Sequence, residues 1–466
     1  MMGLRRAARP ALVALLLIGL CEWVGRGPRA PLEAALSSAA AGDGAGRIYK
    51  VTFLSLNASA DGAFLERVGG FSGVTDVWHR NVGGAAAGAA CAVRQTAEAL
   101  GTVQIHLVED GFAAGAVPAE AWVDGCFNAL HGDLGAPAWG GWDDFMSAGT
   151  AFYYDDLTPV AAAAARDGTP FVGRRYANPR DGLPMYAMFL NLPRSGSIVE
   201  FHSAALDARL AETHFSRPFS PDECEVHHAA RSPVAALNAT YRALYAAKGI
   251  PAGATVPYLF RVSTLLPDAN ATAAAAAALA RHGAVAVSET AASADGACAT
   301  SRVVLSDVDG TQTVDLLLNS RATLRARDAS APAFCDAATY AAYIAGLHAA
   351  SFGVDAGWDR FIDRHVGVAT NATTLDAHAR ALDGDGVGWH AHLDTVSDGV
   401  SYGSAWTALA MGGLGLEVYA PSDGTYFADG ALLPLNFCNA TTDCASFDAC
   451  AEAVVVSSSR QRYSFS

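Results

Sequence analysis

The sequence predicts an α+β fold built from four βαβββ units, and three observations carry that expectation. One strand pattern occurs four times: TVQIHLV (102–108), SIVEFHS (197–203), TVDLLLN (313–319) and LGLEVYA (414–420) set Gln104, Glu200, Asp315 and Glu417 between apolar neighbours. Such alternation belongs to a strand with two different faces, and a polar position recurring in four equivalent strands points to a shared functional face. Short Ala-rich helices are expected near 59–68, 158–167, 270–282 and 373–382, each followed by Gly69, Gly168, Gly283 or Gly384 where a left-handed cap is wanted. From those glycines to Gln104, Glu200, Asp315 and Glu417 the chain runs 35, 32, 32 and 33 residues, room for three strands with turns.

The opening strands follow the same plan. IYKVTFLSL (48–56), YLFRVSTLL (258–266) and HVGVAT (365–370) each lead through a polar turn into a helix. The units are themselves duplicated. LHGDLGAPAWGGWDDF (130–145) corresponds to LHAASFGVDAGWDRF (347–361), with His131 and His348 separated by 217 residues, Trp142 and Trp358 by 216, and Glu200 and Glu417 by 217. His131, His348, Trp142 and Trp358 are read as latches that pack the connectors onto the sheets, because aromatic anchors bury large areas.

A net charge of −15, without a Lys/Arg run in the mature part, argues against nucleic acid as a partner. At the N-terminus Arg5, Arg6 and Arg9 precede the apolar run ALVALLLIGLC (11–21), too short for a bilayer span, so residues 1–24 read as a signal peptide. Residues 25–46 form a low-complexity segment poor in acids, which leaves onward routing to a plastid open beside an extracellular or lumenal destination. No stable membrane span is expected after signal cleavage. Five N-x-S/T sequons, at Asn57, Asn238, Asn270, Asn371 and Asn439, fit a glycosylated secretory protein. Without Cys21 an even set of eight cysteines remains. The separations of Cys91 from Cys126 and of Cys298 from Cys335 agree between the halves, which predicts disulfides Cys91–Cys126 and Cys298–Cys335. Cys224, Cys438, Cys444 and Cys450 are left without assigned partners.

Paired βαβββ units resemble the vicinal oxygen chelate superfamily, which includes glyoxalase I, fosfomycin-resistance proteins, bleomycin-resistance proteins and extradiol dioxygenases. NLPRSGSIVEFHS (191–203) and MGGLGLEVYA (411–420) look like its final strand, and DRHVGVATN (363–371) like its opening strand with the metal-binding histidine. The resemblance implies four modules paired into two curved-sheet cup domains in tandem. These are a first domain at 47–205 (modules 47–110 and 148–205) and a second at 256–420 (modules 256–320 and 363–420). A linker, 206–255, lies between them, and a Cys-containing tail occupies 421–466.

The resemblance also implies a site. His365, Glu417 and Asp315 would hold a divalent Zn, Fe, Mn or Ni ion, and Glu417 would also move protons. Such a centre suits a lyase, isomerase or dioxygenase acting on a small oxygen-bearing substrate. In the first half, Gly149 or Thr150 stands where His365 does, so Gln104, His106, Glu200 and His202 are secondary candidates for lining the cup; the competing reading makes them hydrogen-bonded polar residues of a degenerate half. His390 and His392 alternate along a second strand as further candidates. The alternative to an enzyme is a non-catalytic small-molecule-binding protein, since first-strand ligands are missing from three of the four units. Oligomeric state is not encoded in any motif.

Overall fold

The computed structural model describes residues 47–55, 58–81, 91–98, 100–101, 103–109, 149–192, 198–219, 229–251, 253–266, 269–282, 287–292, 298–307, 310–321, 365–370, 373–385, 389–394, 401–408, 415–422, 431–439 and 451–456. Within them the expected unit occurs four times. Unit 1 is β1 (Arg47–Ser55), α1 (Ala58–Gly69), β2 (Ser72–Asn81), β3 (Cys91–Glu98) and β4 (Gln104–Glu109). Unit 2 is β5 (Thr150–Tyr153), α2 (Thr158–Arg166), β6 (Val172–Ala177), β7 (Pro184–Asn191) and β8 (Ile198–Ser203). The connecting segment carries α3 (Ala208–His214) and α4 (Val234–Ala247). Unit 3 is β9 (Tyr258–Leu266), α5 (Ala269–His282), β10 (Val287–Ala292), β11 (Cys298–Asp307) and β12 (Thr313–Arg321). Unit 4 is β13 (His365–Ala369), α6 (Leu375–Gly384), β14 (Trp389–Asp394), β15 (Ser401–Ala408) and β16 (Gly415–Ser422). The tail adds β17 (Ala431–Asn439) and β18 (Ala451–Val456).

In every unit the first strand runs parallel to the last, β1 with β4, β5 with β8, β9 with β12 and β13 with β16, and the remaining strands continue antiparallel. The α+β class and the two-by-two joining of units are as the sequence predicts. Which units join is different. Antiparallel pairing links β1 to β13 and β5 to β9, so unit 1 partners unit 4 and unit 2 partners unit 3. The division into 47–205 and 256–420 follows the order of the chain, whereas pairing follows the exposed edges of the four first strands, whose sequences do not name their neighbours.

Alternation sorts the two faces. Ile105 and Leu107, Val199 and Phe201, Leu316 and Leu318, and Leu416 and Val418 enter one continuous core with Phe64, Leu65 and Val68 of α1, Val160 and Ala164 of α2, and Ala275 and Leu279 of α5. The polar position of each last strand therefore lies on the face away from the helices. The helix caps follow the expectation in part: Gly168 is left-handed (φ 64°), but after α1 it is Gly70 (φ 67°) that takes this conformation, and α6 runs on through Gly384 to a right-handed cap at Asp385. The cap of α5, expected at Gly283, lies outside the described residues. In the tail, β17 pairs with β2 and β18 with β14, so a hairpin links the outer strands of units 1 and 4. Among the described residues no helix is long and apolar enough to cross a membrane.

A second core covers the polar face of units 2 and 3. Val234, Leu237, Tyr241 and Leu244 recur along α4 as a single stripe and pack on Ala151, Tyr153, Tyr258 and Phe260. The segment expected as a linker is thus the occupant of this cup. Its entry is clamped by the β6–β7 turn: Asp181 Oδ2 accepts from Val234 N (2.7 Å), and Asn178 Nδ2 donates to Ser232 O (2.9 Å).

Helices α5 and α6, from units of different cups, meet at Arg281, His282, His378 and Asp385. Arg281 Nη2 and His282 Nε2 lie 2.6 and 3.1 Å from the Asp385 carboxylate, and the two imidazole centroids are 5.7 Å apart. Asp376 on the same helix accepts from Ser422 Oγ of β16 (2.6 Å). Burial, then the neighbouring His282, lowers the His378 pKa to about 3. Because the folded value lies below the unfolded one, the unfolded chain takes up the proton first, and stability present above pH ~6.5 is lost as pH falls towards 3. Urea titrations should show stability falling by about 2 kcal/mol between pH 7 and pH 5 from this group, and His378→Leu should flatten that slope.

Candidate polar faces of the two cups

Strand register builds the same row of four residues twice. In the cup of units 1 and 4, Gln104 pairs with Lys50, Lys50 with Gly367, and Gly367 with Glu417. In the cup of units 2 and 3, Asp315 pairs with Arg261, Arg261 with Ala151, and Ala151 with Glu200. Each row thus reads polar residue, cation, small residue, glutamate. The cation reaches over the small residue to the glutamate of the partner unit. Lys50 Nζ lies 2.6 Å from Glu417 Oε2 with both side chains buried, and Arg261 Nη2 is bonded to Glu200 Oε2.

The small residue is what permits the reach. A Cβ on Gly367 would stand 2.7 Å from Tyr49 Cε1 and 2.9 Å from Lys50 Cγ, inside any van der Waals contact. Sequence reasoning passed over Lys50 and Arg261, although each is the one charged residue between apolar neighbours in the interior of its opening strand, IYKVTFLSL and YLFRVSTLL.

The remaining candidates group around these rows. His106 Nε2 lies 3.0 Å from Gln104 Oε1 on the same strand face. Tyr49 and Tyr419 stand beside the Lys50–Glu417 pair, with ring centroids 6.2 Å apart and the ammonium 5.4 Å from the Tyr49 ring. In the other cup, Ala230 N donates to Tyr176 Oη (3.1 Å), Tyr176 Oη is 3.0 Å from His202 Nδ1, and His202 Nε2 is 3.0 Å from Glu200 Oε2. With the backbone N–H already donating to the phenol, the Tyr176 proton is directed to Nδ1. This fixes a neutral, Nε2-protonated His202 that donates to Glu200. Burial lowers the His202 pKa, against the pull of Glu200, and agrees with that tautomer.

Two contacts tie this cup to the segment that fills it. Arg261 Nη1 donates to Ala229 O (3.2 Å), and Tyr153 Oη donates to Asn238 Oδ1 (2.5 Å).

Two of the three expected metal ligands, Asp315 and Glu417, fall in different rows. Glu417 belongs to the row of units 1 and 4, while Asp315 belongs to that of units 2 and 3, where Arg302 Nη2 holds it at 2.9 Å. Burial raises the Asp315 pKa against the opposing pull of Arg302, Arg261 and Arg231. The backbone of His365 pairs with Gly415, two positions from the Gly367–Glu417 pair, and its side chain lies outside the described residues. His390 and His392 of β14 pair with Trp406 and Ser404 of β15, and the histidine side chains also lie outside the description. Among the described residues no three His, Cys, Asp or Glu side chains could hold a metal ion. The donor chemistry does not fit a divalent ion either, because each row sets a protein cation against the glutamate that would have to ligate it.

Cys91 and Cys298 open the equivalent strands β3 and β11; their expected partners Cys126 and Cys335 lie outside the described residues, as do Cys224, Cys444 and Cys450. Of the sequons, Asn238 is half-buried on α4, Asn270 is exposed on α5, Asn439 ends β17, and Asn57 and Asn371 fall outside the description.

No family model and no curated protein matches the chain. Solved structures similar to it include glyoxalase I from Zea mays, at 10% identity and a TM-score of 0.40 over 81% of this chain and 92% of that one. A point mutant of the same protein gives 11% identity and a TM-score of 0.40 over 83% and 96%. A 4-hydroxymandelate synthase mutant from Streptomyces coelicolor gives 10% identity and a TM-score of 0.20 over 80% and 93%. The fold assignment rests on the strand order and register given above.

A buried pair costs most when one partner is removed. Lys50→Met should therefore lower unfolding stability by about 3–5 kcal/mol, and the Lys50→Met/Glu417→Leu double variant should recover much of that loss in urea denaturation. Gly367→Ala should cost about 1–3 kcal/mol through the clash with Tyr49 and Lys50.

Proposed function

We propose that this chain is a metal-independent small-molecule-binding protein of glyoxalase-like architecture, with its binding face on the cup of units 1 and 4. The observation that carries the reading is the buried Lys50–Glu417 pair, 2.6 Å apart, at the last-strand position where the resembled superfamily places a metal ligand. The ammonium supplies a positive charge against the carboxylate and holds it in place without an ion from outside. Around the pair, Gln104 and His106 offer polar contacts, and Tyr49 and Tyr419 offer aromatic walls. Four polar side chains beside two tyrosines suit a small aromatic ligand that carries polar groups of its own. The cup of units 2 and 3 is filled by α4 and serves chiefly to hold the fold.

The same proposal places the protein on the secretory route, with residues 1–24 removed, disulfides Cys91–Cys126 and Cys298–Cys335, and glycans on the sequons. The competing reading is a metal-dependent enzyme in which His365 and Glu417 share an ion. Metal analysis of protein secreted from a host supplied with zinc, iron, manganese and nickel separates the two. The proposal expects substoichiometric metal in both the wild type and His365→Ala. One equivalent of metal in the wild type, lost in His365→Ala, would establish the enzyme reading instead.

A further inference from the structure

The polar face of units 1 and 4 is the inside of a closed ring of strands. Backbone pairing runs in the order β2, β3, β4, β1 through unit 1, crosses to unit 4 at β13, and continues through β16, β15 and β14. The tail then completes the circuit, with β18 on β14, β17 on β18, and β17 back on β2. Units 2 and 3 are built otherwise: their strands pair in the order β6, β7, β8, β5, β9, β12, β11, β10, and α4 occupies the polar face.

Register decides which positions belong to the inward face, because residues directly opposite each other in a ladder share one face of the sheet. From Glu417 that face passes to Trp406 and His390, and from His392 it reaches Val454 of β18 and Leu433 of β17. Alternation along β17 adds Leu435 and Phe437. In the other direction it passes from His106 to Thr96, then by alternation to Arg94, and so to Trp78 and Arg80. The two routes meet at the ladder between β17 and β2, where Phe437 stands opposite Arg80 and Asn439 opposite Trp78. The inward face therefore closes on itself without a mismatch, and a slip of one residue in the tail would have broken that agreement.

The outward face is fixed by packing, since Ile105, Leu107, Leu416 and Val418 enter the core that α1 covers. On the inward face Lys50, His106, Glu417 and Tyr419 are buried. Four strands from each unit and two from the tail make a ring of ten. Eight strands enclose space for their own side chains or one small ligand, and the diameter grows with strand number, so this ring has the dimensions for a single enclosed molecule.

We propose that the tail hairpin of β17 and β18 is part of the binding site: it walls the interior of units 1 and 4 into a chamber for one small aromatic molecule, with Trp78, Trp406 and Phe437 at lining positions. The inference rests on the binding reading of units 1 and 4 and adds to it a segment that lies outside the four repeated units.

Titration of the full chain with the fluorescent aromatic probe 1-anilinonaphthalene-8-sulfonate tests it. The wild type should bind about one equivalent. Phe437→Ala, at an inward position of the tail, should weaken binding about tenfold, whereas Asn436→Ala, beside it on the outward face, should leave binding unchanged. If Phe437→Ala does not fold, Val454→Phe on the inward face and Val455→Phe on the outward face supply the same contrast. Ala391→Cys/Val455→Cys joins residues directly opposite in the ladder and should form a disulfide without loss of probe binding. A probe held equally by inward and outward variants, or a cysteine pair that stays reduced under oxidant, would overturn the role of the tail and leave the binding reading of units 1 and 4 standing. A wild type that binds no probe would overturn both.

Discussion

One arrangement underlies the rest of the structure: a cation on an opening strand reaches across a small residue of the neighbouring unit to a buried glutamate. It occurs as Lys50 over Gly367 to Glu417 and again as Arg261 over Ala151 to Glu200. Since the two charges come from different units, each pair also ties two units together. Removing a lysine, an arginine and two carboxylates from water is expensive, and the cost is tolerable only where register brings the partners into contact. The first-strand pairings β1–β13 and β5–β9 supply that register. Gly367 in one row and Ala151 in the other keep the crossing point open.

The two cups then diverge. Units 2 and 3 accept the chain's own helix α4 on their polar face, and the Tyr176–His202–Glu200–Arg261 network is sealed beneath it with fixed proton positions. Units 1 and 4 carry no described helix on that face, where Lys50, His106 and Glu417 are buried beside Tyr49 and Tyr419. Duplication therefore yields one cup covered by the chain's own helix and one in which no described helix takes that place. The α1–α2 and α5–α6 contacts join the pairs through the helical side, leaving both polar faces turned away from the central core.

Much of this was legible in the sequence because period-two alternation is a local signal. Gln104, Glu200, Asp315 and Glu417 fall on the face opposite the helices as their neighbours dictate, and all four helices stand within two residues or so of their expected positions. The pairing of units was not legible, since four similar opening strands can join in more than one way and only long-range packing selects among them. That choice separates Asp315 from Glu417. Lys50 and Arg261 were in plain view, but a search for histidines on opening strands passed over them, although they are the charges that reach the two buried glutamates. The stripe Val234, Leu237, Tyr241 and Leu244 was equally visible, at helical spacing, within a segment dismissed as a linker.

The claim on which the account stands is that an internal ammonium holds the place of a metal beside Glu417. Crystals grown with excess zinc and measured at the zinc absorption edge address it directly. The account predicts Lys50 Nζ against Glu417 Oε2 with no anomalous peak beside the carboxylate. A zinc ion bound by Glu417 and His365, with Lys50 displaced, would contradict it.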